Sequence, residues 1–463
     1  MSPKKGEIVE LRIEKVAYGG EGIGRLHGLV FFVRGAIPGD RVLAKVVRKK
    51  RTYAQARVTE ILEASPDRIT PPCPYSGYCG GCQWQNARYE AQLKYKKVLV
   101  EDSLSGIPSL RDTPIHEVIA SPKQFGYRNK MEFSFSDRRW FLPGELPWEN
   151  NQKHFALGLH IPGTFHKVLD VNSCLLQNEK GNELLREIKN YAKNSGIPAY
   201  GLKTHQGFWR FLALRHGAHS DEWMVNIITS ELKLDILNPL AEVLSNRFPE
   251  VKTIVNNINS RKASIAVGEK EIVLVGQGTI SDRIGPFFFQ ISANSFFQTN
   301  SPAAQKLYGK VADYAELNGA ELVLDLYSGT GTIPVFLSGV AQGIIGMEIM
   351  ADAVRDAEIN CRKNCITNCR FVLGDIKDNL KNLKVKPDVL IIDPPRAGMH
   401  KDVLSGVMEL GAEKVVYVSC HPMTMARDLA KMSEDYRVLE VQPVDMFPHT
   451  YHVEAVAKLR RKK

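Results

Sequence analysis

Residues 321–350 read ELVLDLYSGTGTIPVFLSGVAQGIIGMEIM, and the fold turns on them. ELVLDL is an apolar run of strand length, and a second run, GIIGMEI, contains Glu348. Between them Tyr327-Ser328-Gly329-Thr330-Gly331-Thr332 carries two glycines, which let a backbone turn tightly and come close to a ligand. An acidic residue about 20 positions after such a turn can hold ribose hydroxyls, and Glu348 stands there. Further apolar runs follow at CRFVLGD (369–375), DVLIIDPP (388–395), KVVYVSC (414–420) and EAVAKL (454–459). Helical stretches such as ADAVRDAEINCRKN (351–364) lie between or before them. This rhythm predicts a doubly wound, Rossmann-like α/β domain over 286–463, with ligands at the carboxyl ends of the strands.

The loop itself narrows the ligand. A dinucleotide site would continue to a third glycine at the helix start, where the pyrophosphate needs close approach; here Ile333 and Pro334 follow, which suits S-adenosylmethionine better. Asp375, closing the third strand, is placed to meet an adenine. Asp393-Pro394-Pro395-Arg396 closes the fourth, where site residues of such sheets gather. Either aspartate could equally be a helix N-cap or a turn former.

The fifth strand delivers Cys420, followed by His421 and Pro422. A lone cysteine is usually a small buried hydrophobe, but at the ligand edge of the sheet it reads as a nucleophile. Glu454 stands in the last run with apolar neighbours, where a charged group is costly unless it has a partner or a task. Together they fit methylation at carbon 5 of uracil. A thiolate adding to carbon 6 makes carbon 5 electron-rich, and a carboxylate can later remove the proton from that carbon.

Residues 6–62 alternate apolar and polar positions around GGEGIGR and PGD turns, the pattern of a small β-barrel of the TRAM or OB-like kind. The segment resembles the TRAM domain, an RNA-binding barrel. Charge agrees: residues 1–60 hold 13 basic and 6 acidic side chains, seven of the chain's net surplus of ten. A polyanionic partner, RNA, is therefore expected. The barrel shows no site residue, so it is expected to supply affinity rather than chemistry. Residues 63–285 read as a central α+β domain. Within it YRNKMEFSFSDRRW (127–140) interleaves aromatic and basic residues, which could stack on unpaired bases or simply form core strands. No run approaches the roughly 18 apolar residues of a spanning helix, and no signal peptide is evident, so a cytoplasmic monomer without membrane contact is expected.

Cysteines in that compartment read as ligands or nucleophiles rather than disulfides. Cys73, Cys79 and Cys82 form C-x5-C-x2-C, and Cys174 lies downstream. Spacing alone leaves zinc and an iron–sulfur cluster equally open. Cys361, Cys365 and Cys369 straddle a helix end without a fourth partner and read as core or surface residues.

SCHPMTMARDL from Ser419 and DMFPHTYHVEAVAKL from Asp445 resemble the paired C-terminal signatures of the RNA 5-methyluridine methyltransferase family. FFQTN from Phe296, LDLYSGTGT, Glu348 and DPPR resemble its cofactor motifs, and the likeness covers essentially the whole chain. It is closest to the 23S rRNA enzymes that carry a TRAM domain and an iron–sulfur cluster. The resemblance implies that Gln298, Tyr327, Glu348, Asp375 and Asp393 contact S-adenosylmethionine. It further implies Cys420 as nucleophile, Glu454 as base and a [4Fe–4S] cluster on Cys73, Cys79, Cys82 and Cys174. The implied substrate is 23S rRNA, with the T-loop of tRNA second. His421 and Thr332 depart from the family pattern, where asparagine is common. Two other classes compete: a radical methylthiotransferase, which would need C-x3-C-x2-C, and a non-catalytic RNA-binding protein, which would need neither Cys420 nor Glu454.

Overall fold

The computed structural model describes residues 3–145, 154–164, 166–263 and 265–463. The chain divides into two compact units: residues 1–77, 81–121 and 394–463 form one, and 78–80 with 122–393 form the other.

The first unit opens with a closed five-stranded barrel, in the order Ile8–Val16, Gly22–Leu26, Leu29–Arg34, Tyr53–Glu63, Arg41–Lys49. Its apolar positions alternate inward, as the sequence pattern required, and Val9, Leu11, Ile13, Phe31, Val33, Val42 and Val46 fill the interior. Asp40, in the PGD turn, is fully buried and accepts from the Ile37 and Ser65 backbone N–H groups at 2.8 and 2.9 Å and from the Arg68 guanidinium. Such a carboxylate tolerates burial because every lone pair has a donor.

The same unit holds helix Tyr89–Ser105 and a three-stranded antiparallel sheet, ordered Lys414–Ser419, Glu454–Arg461, Tyr436–Val444. The last of these strands lies outside the apolar runs read from the sequence. Pro443 and the charged Arg437 and Glu440 break its pattern, and the strand is recruited by pairing with Glu454–Arg461. The helix is tied to the loop after that strand by polar groups. Lys96 and Asp445 are both fully buried and meet at 2.5 Å; Lys96 also donates to the Phe447 carbonyl at 2.9 Å. Tyr89 and the Phe447 N–H supply the remaining donors to Asp445. Gln92, also buried, accepts from the His449 N–H and donates to the Trp84 and Ala87 carbonyls.

In the second unit an eight-stranded sheet is followed by a hairpin, Thr279–Ile284 with Phe287–Ser292, and helix Ser301–Ala315. Four parallel strands come next, in spatial order Cys369–Leu373, Gly343–Glu348, Leu322–Leu326, Val389–Ile392. The first strand in the chain is third in space, with later strands on both sides. That reversal is the switch point of a doubly wound fold, where ligands bind. The α/β fold with an N-terminal barrel is therefore as the sequence implied. The stretch YRNKMEFSFSDRRW resolves toward core: Tyr127, Phe133 and Phe135 are buried and cannot stack on a base.

Lys96→Met should cost about 3–5 kcal/mol, because it leaves Asp445 as an uncompensated buried charge. Urea unfolding measures it; a loss below about 1 kcal/mol would mean that the pair does not hold this region together.

Candidate functional site

At the carboxyl edge of the four parallel strands the backbone turns sharply. Tyr327 takes φ +64°, and Gly329 and Gly331 take +53° and +75°. A Cβ on Gly331 would come within 2.9 Å of Ala357 and Phe371, so only glycine fits that turn. Glu348 shapes the same loop: its carboxylate accepts from the Gly329, Ile349 and Met350 N–H groups at 3.0, 2.8 and 2.8 Å. Ile349 and Met350, directly after it, are each 60% exposed, a flat apolar surface beside a carboxylate. Gln298 is buried; its side chain and Thr332 hydrogen-bond Tyr308, with Tyr308 Oη 2.8 Å from Thr332 Oγ1.

Three carboxyl groups share this edge. Burial raises Asp393 to about 6. Asp325 is raised well above the usual carboxylate range, first by burial and then by the charges of Asp393 and Glu348. Neither oxygen of Asp325 has a hydrogen-bond partner among the described residues. A buried carboxylate without a donor is costly. Asp375 sits apart in role: it caps helix Ile376–Lys381 through the Lys377 N–H at 3.0 Å and pairs with the Lys377 ammonium at 3.3 Å.

The strand Lys414–Ser419 and the final strand run antiparallel, and their paired register ends with Ser419 opposite Ala455. Cys420 directly follows the first of these residues and Glu454 directly precedes the second. Glu454 is buried. Helix Pro422–Met432 begins two residues after Cys420, with His421 as its N-cap and Pro422 at its first position, so its positive end faces this corner. Burial, and then the Arg396 charge, lower His421, which keeps its imidazole neutral. Tyr18, from the turn between the first two barrel strands, lies against His421 and Tyr451, with ring centroids 4.5 and 5.0 Å away.

The structure thus gathers Gln298, Tyr327, Glu348 and Asp393 at one sheet edge, and sets Cys420 directly after the strand Lys414–Ser419 and Glu454 at the start of the strand paired with it. Of the cysteines expected to bind metal, Cys73 and Cys82 are tied by Gln85, whose amide accepts from the Cys73 N–H and donates to the Cys82 sulfur, both at 3.3 Å. Among the described residues no group of three or more His, Cys, Asp or Glu side chains converges to hold a metal ion. Cys361 is buried and hydrogen-bonded to Cys369, and Cys365 is exposed, as their reading as core or surface residues requires. Sequence reasoning missed Asp325, although an acid inside the apolar run LVLDL is the same signal that singled out Glu454. It also missed Tyr18, for which the barrel pattern carries no signal.

Comparison with known proteins agrees with this geometry. Residues 88–462 match the family model described as tRNA (uracil-5-)-methyltransferase, and residues 3–59 match the TRAM domain. The chain belongs to the tRNA (uracil-5-)-methyltransferase family. The enzyme is 41% identical to an uncharacterized RNA methyltransferase of Chlorobaculum tepidum, over 99% of this chain and 97% of that one. An RNA methyltransferase of Bacteroides thetaiotaomicron is 38% identical, over 95% and 98%. Among solved structures, the Pyrococcus abyssi tRNA (uracil-54, C5)-methyltransferase in complex with S-adenosyl-L-homocysteine superposes with TM-score 0.76. It is 28% identical, and the match covers 97% of this methyltransferase and 100% of that one.

Because the folded-state pKa of Asp325 is raised, ionising it costs stability, and that cost grows as pH climbs above the ordinary carboxylate range. Thermal melting of the ligand-free enzyme should therefore show stability falling with rising pH. Asp325→Asn should flatten that fall; an unchanged slope would exclude Asp325 as its source.

Proposed function

We propose that the enzyme methylates carbon 5 of a uridine in 23S rRNA, with Cys420 as covalent nucleophile, Glu454 as base and S-adenosylmethionine as donor. The register that pairs Ser419 with Ala455, the chain neighbours of Cys420 and Glu454, supports this reading.

The donor suits the residues present. Asp325, buried and with no hydrogen-bond partner among the described residues, would match the cationic end of S-adenosylmethionine; Glu348 would suit its ribose diol, and Ile349 and Met350 offer apolar surface for the adenine. Gln298, Tyr327 and Asp393 would hold the donor with them, and Asp375, beyond its capping role, would meet the adenine. When bound, S-adenosylmethionine supplies an electrophilic methyl group. The Cys420 sulfur adds to carbon 6 of the uracil, and the electron pair moves to carbon 5. Once carbon 5 carries the methyl group, Glu454 removes the remaining proton there. The electrons reform the ring double bond, and the Cys420 thiolate leaves. His421, held neutral, adds no positive charge to the corner at physiological pH.

Ribosomal RNA is the substrate favoured by a basic barrel joined to a four-cysteine set. Transfer RNA is the second reading, favoured by the full-length likeness to the Pyrococcus abyssi enzyme. Mapping 5-methyluridine in both RNAs from a deletion strain separates them: a methyl group missing from the tRNA T-loop alone would overturn the ribosomal assignment.

Cys73, Cys79, Cys82 and Cys174 would hold a structural [4Fe–4S] cluster. Four thiols are the right donor set, and two of the sulfurs already accept hydrogen bonds, Cys73 from the Tyr75 and Ser76 N–H groups and Cys82 from Gln85. Protein purified without oxygen should be brown with about four irons per chain. Stoichiometric zinc and no visible absorption would overturn this assignment.

The nucleophile and base act at different stages, so their variants should differ in kind. Cys420→Ala should form neither product nor covalent complex. Glu454→Gln should stall after methyl transfer, since an amide is a very poor base, and accumulate a denaturant-resistant enzyme–RNA band that already carries the methyl group. Normal turnover by Glu454→Gln, or a band that survives loss of Cys420, would show the roles to be misassigned.

A further inference from the structure

Charge and pattern alone make the barrel an affinity module. Its first turn points to a second role. Ala17–Glu21 is closed by two backbone hydrogen bonds, Ala17 N–H to Glu21 O at 2.8 Å and Gly20 N–H to Ala17 O at 3.0 Å. The turn is seated on Gln83 and Trp84. The Trp84 indole donates to the Gly20 carbonyl at 3.0 Å, and Gly20, at φ +85°, packs so tightly that a Cβ there would lie 2.8 Å from the Gln83 Cβ. Gln83 and Trp84 in turn both donate their backbone N–H groups to the His449 carbonyl, at 2.9 and 3.0 Å. His449 belongs to the loop that leads into Glu454. The barrel turn is therefore fastened, through one fully buried tryptophan, to the segment that delivers the base.

The turn carries Tyr18, and its ring occupies the angle between His421 and Tyr451. His421 follows the nucleophile directly, and Tyr451 stands three residues before the base. Burial first, then Tyr451 and, more weakly, Cys420 and Glu454 push the Tyr18 hydroxyl up to about 12, against the lowering effect of the Arg396 guanidinium. Tyr18 thus lies within the electrostatic field of both reacting groups and stays neutral beside them.

We propose that Tyr18 is a positioning residue of the catalytic corner: its ring, supplied by the barrel, wedges His421 and Tyr451 apart and so fixes where Cys420 and Glu454 stand. The barrel is then part of the catalytic apparatus as well as an RNA-binding module. This rests on the reading of Cys420 and Glu454 as nucleophile and base. Tyr18 meets His421 and Tyr451 ring to ring, so the ring and not the hydroxyl carries the effect. A one-ångström displacement of a reacting group can cost two orders of magnitude in rate, so the effect should appear in turnover.

Full-length wild type and the variants Tyr18→Phe, Tyr18→Ala and Tyr18→Leu are compared on unmodified ribosomal and transfer RNA from a deletion strain. Turnover, filter binding of RNA and thermal melting are measured for each. Tyr18→Ala and Tyr18→Leu should lower kcat about tenfold or more, with RNA affinity within about threefold of wild type, and Tyr18→Phe should recover most of the rate. If Tyr18→Ala does not fold, Tyr18→Leu gives the same reading, because it keeps apolar volume without a flat ring. Weakened RNA binding with kcat intact would reduce Tyr18 to an RNA contact and overturn the proposal. So would a Tyr18→Phe variant as slow as Tyr18→Ala. A wild type that makes no 5-methyluridine in either RNA would overturn the functional reading and this inference with it; an active wild type matched by Tyr18→Ala overturns this inference alone.

Discussion

A lysine with no access to water holds the catalytic end of the first unit together. Lys96 reaches from the middle of helix Tyr89–Ser105 to Asp445 and to the Phe447 carbonyl, and burial alone would lower its pKa; the opposing charge of Asp445 pushes back. An ammonium in such a place is stable only while its partners stay in position. That makes the contact a constraint on geometry more than a source of stability. One turn earlier, Gln92 uses its amide on the Trp84 and Ala87 carbonyls and on the His449 N–H. Helix, tryptophan and loop therefore share one set of buried polar groups. The loop they define leads straight into Glu454, and the barrel turn is fastened to the same tryptophan.

The second unit meets a different constraint, an excess of buried negative charge. Asp325, Asp393 and Glu348 come to one sheet edge because each ends a strand or lies near its end, and the parallel register aligns those ends. Glu348 is satisfied by three backbone N–H groups of the glycine loop and the residues after it. Asp325 finds no hydrogen-bond donor among the described residues. Sites that hold ligands commonly keep such an unmet demand, since a group fully satisfied by the protein has nothing left for the ligand.

Much of this was legible in the chain. The barrel followed from alternation, and the parallel strands from short apolar runs separated by helical periods, because burial dictates both patterns. Cys420 and Glu454 stood out as candidate reactive groups because each lies against an apolar run at a strand end. Asp325 carried the same signal and was passed over because the glycine loop beside it drew the reading. Asp375 showed two compatible readings, and capping is the one visible in its hydrogen bonds. The strand Tyr436–Val444 was hidden because its charges and proline contradict strand propensity, which pairing with a neighbour overrides.

By itself the sequence determined the class of fold and the family, and it singled out the proposed reacting pair, since these depend on local periodicity and on residue types at strand ends. Tertiary structure alone decided which residues stand beside that pair. Tyr18 lies about 400 positions before Cys420 in a repeating apolar–polar pattern that distinguishes it from no other turn residue. Its place beside His421 and Tyr451 depends on a glycine small enough to let the turn approach Trp84, and on the buried hydrogen bonds that hold Trp84 to His449. Contacts so distant in sequence are set by packing, which no local pattern encodes.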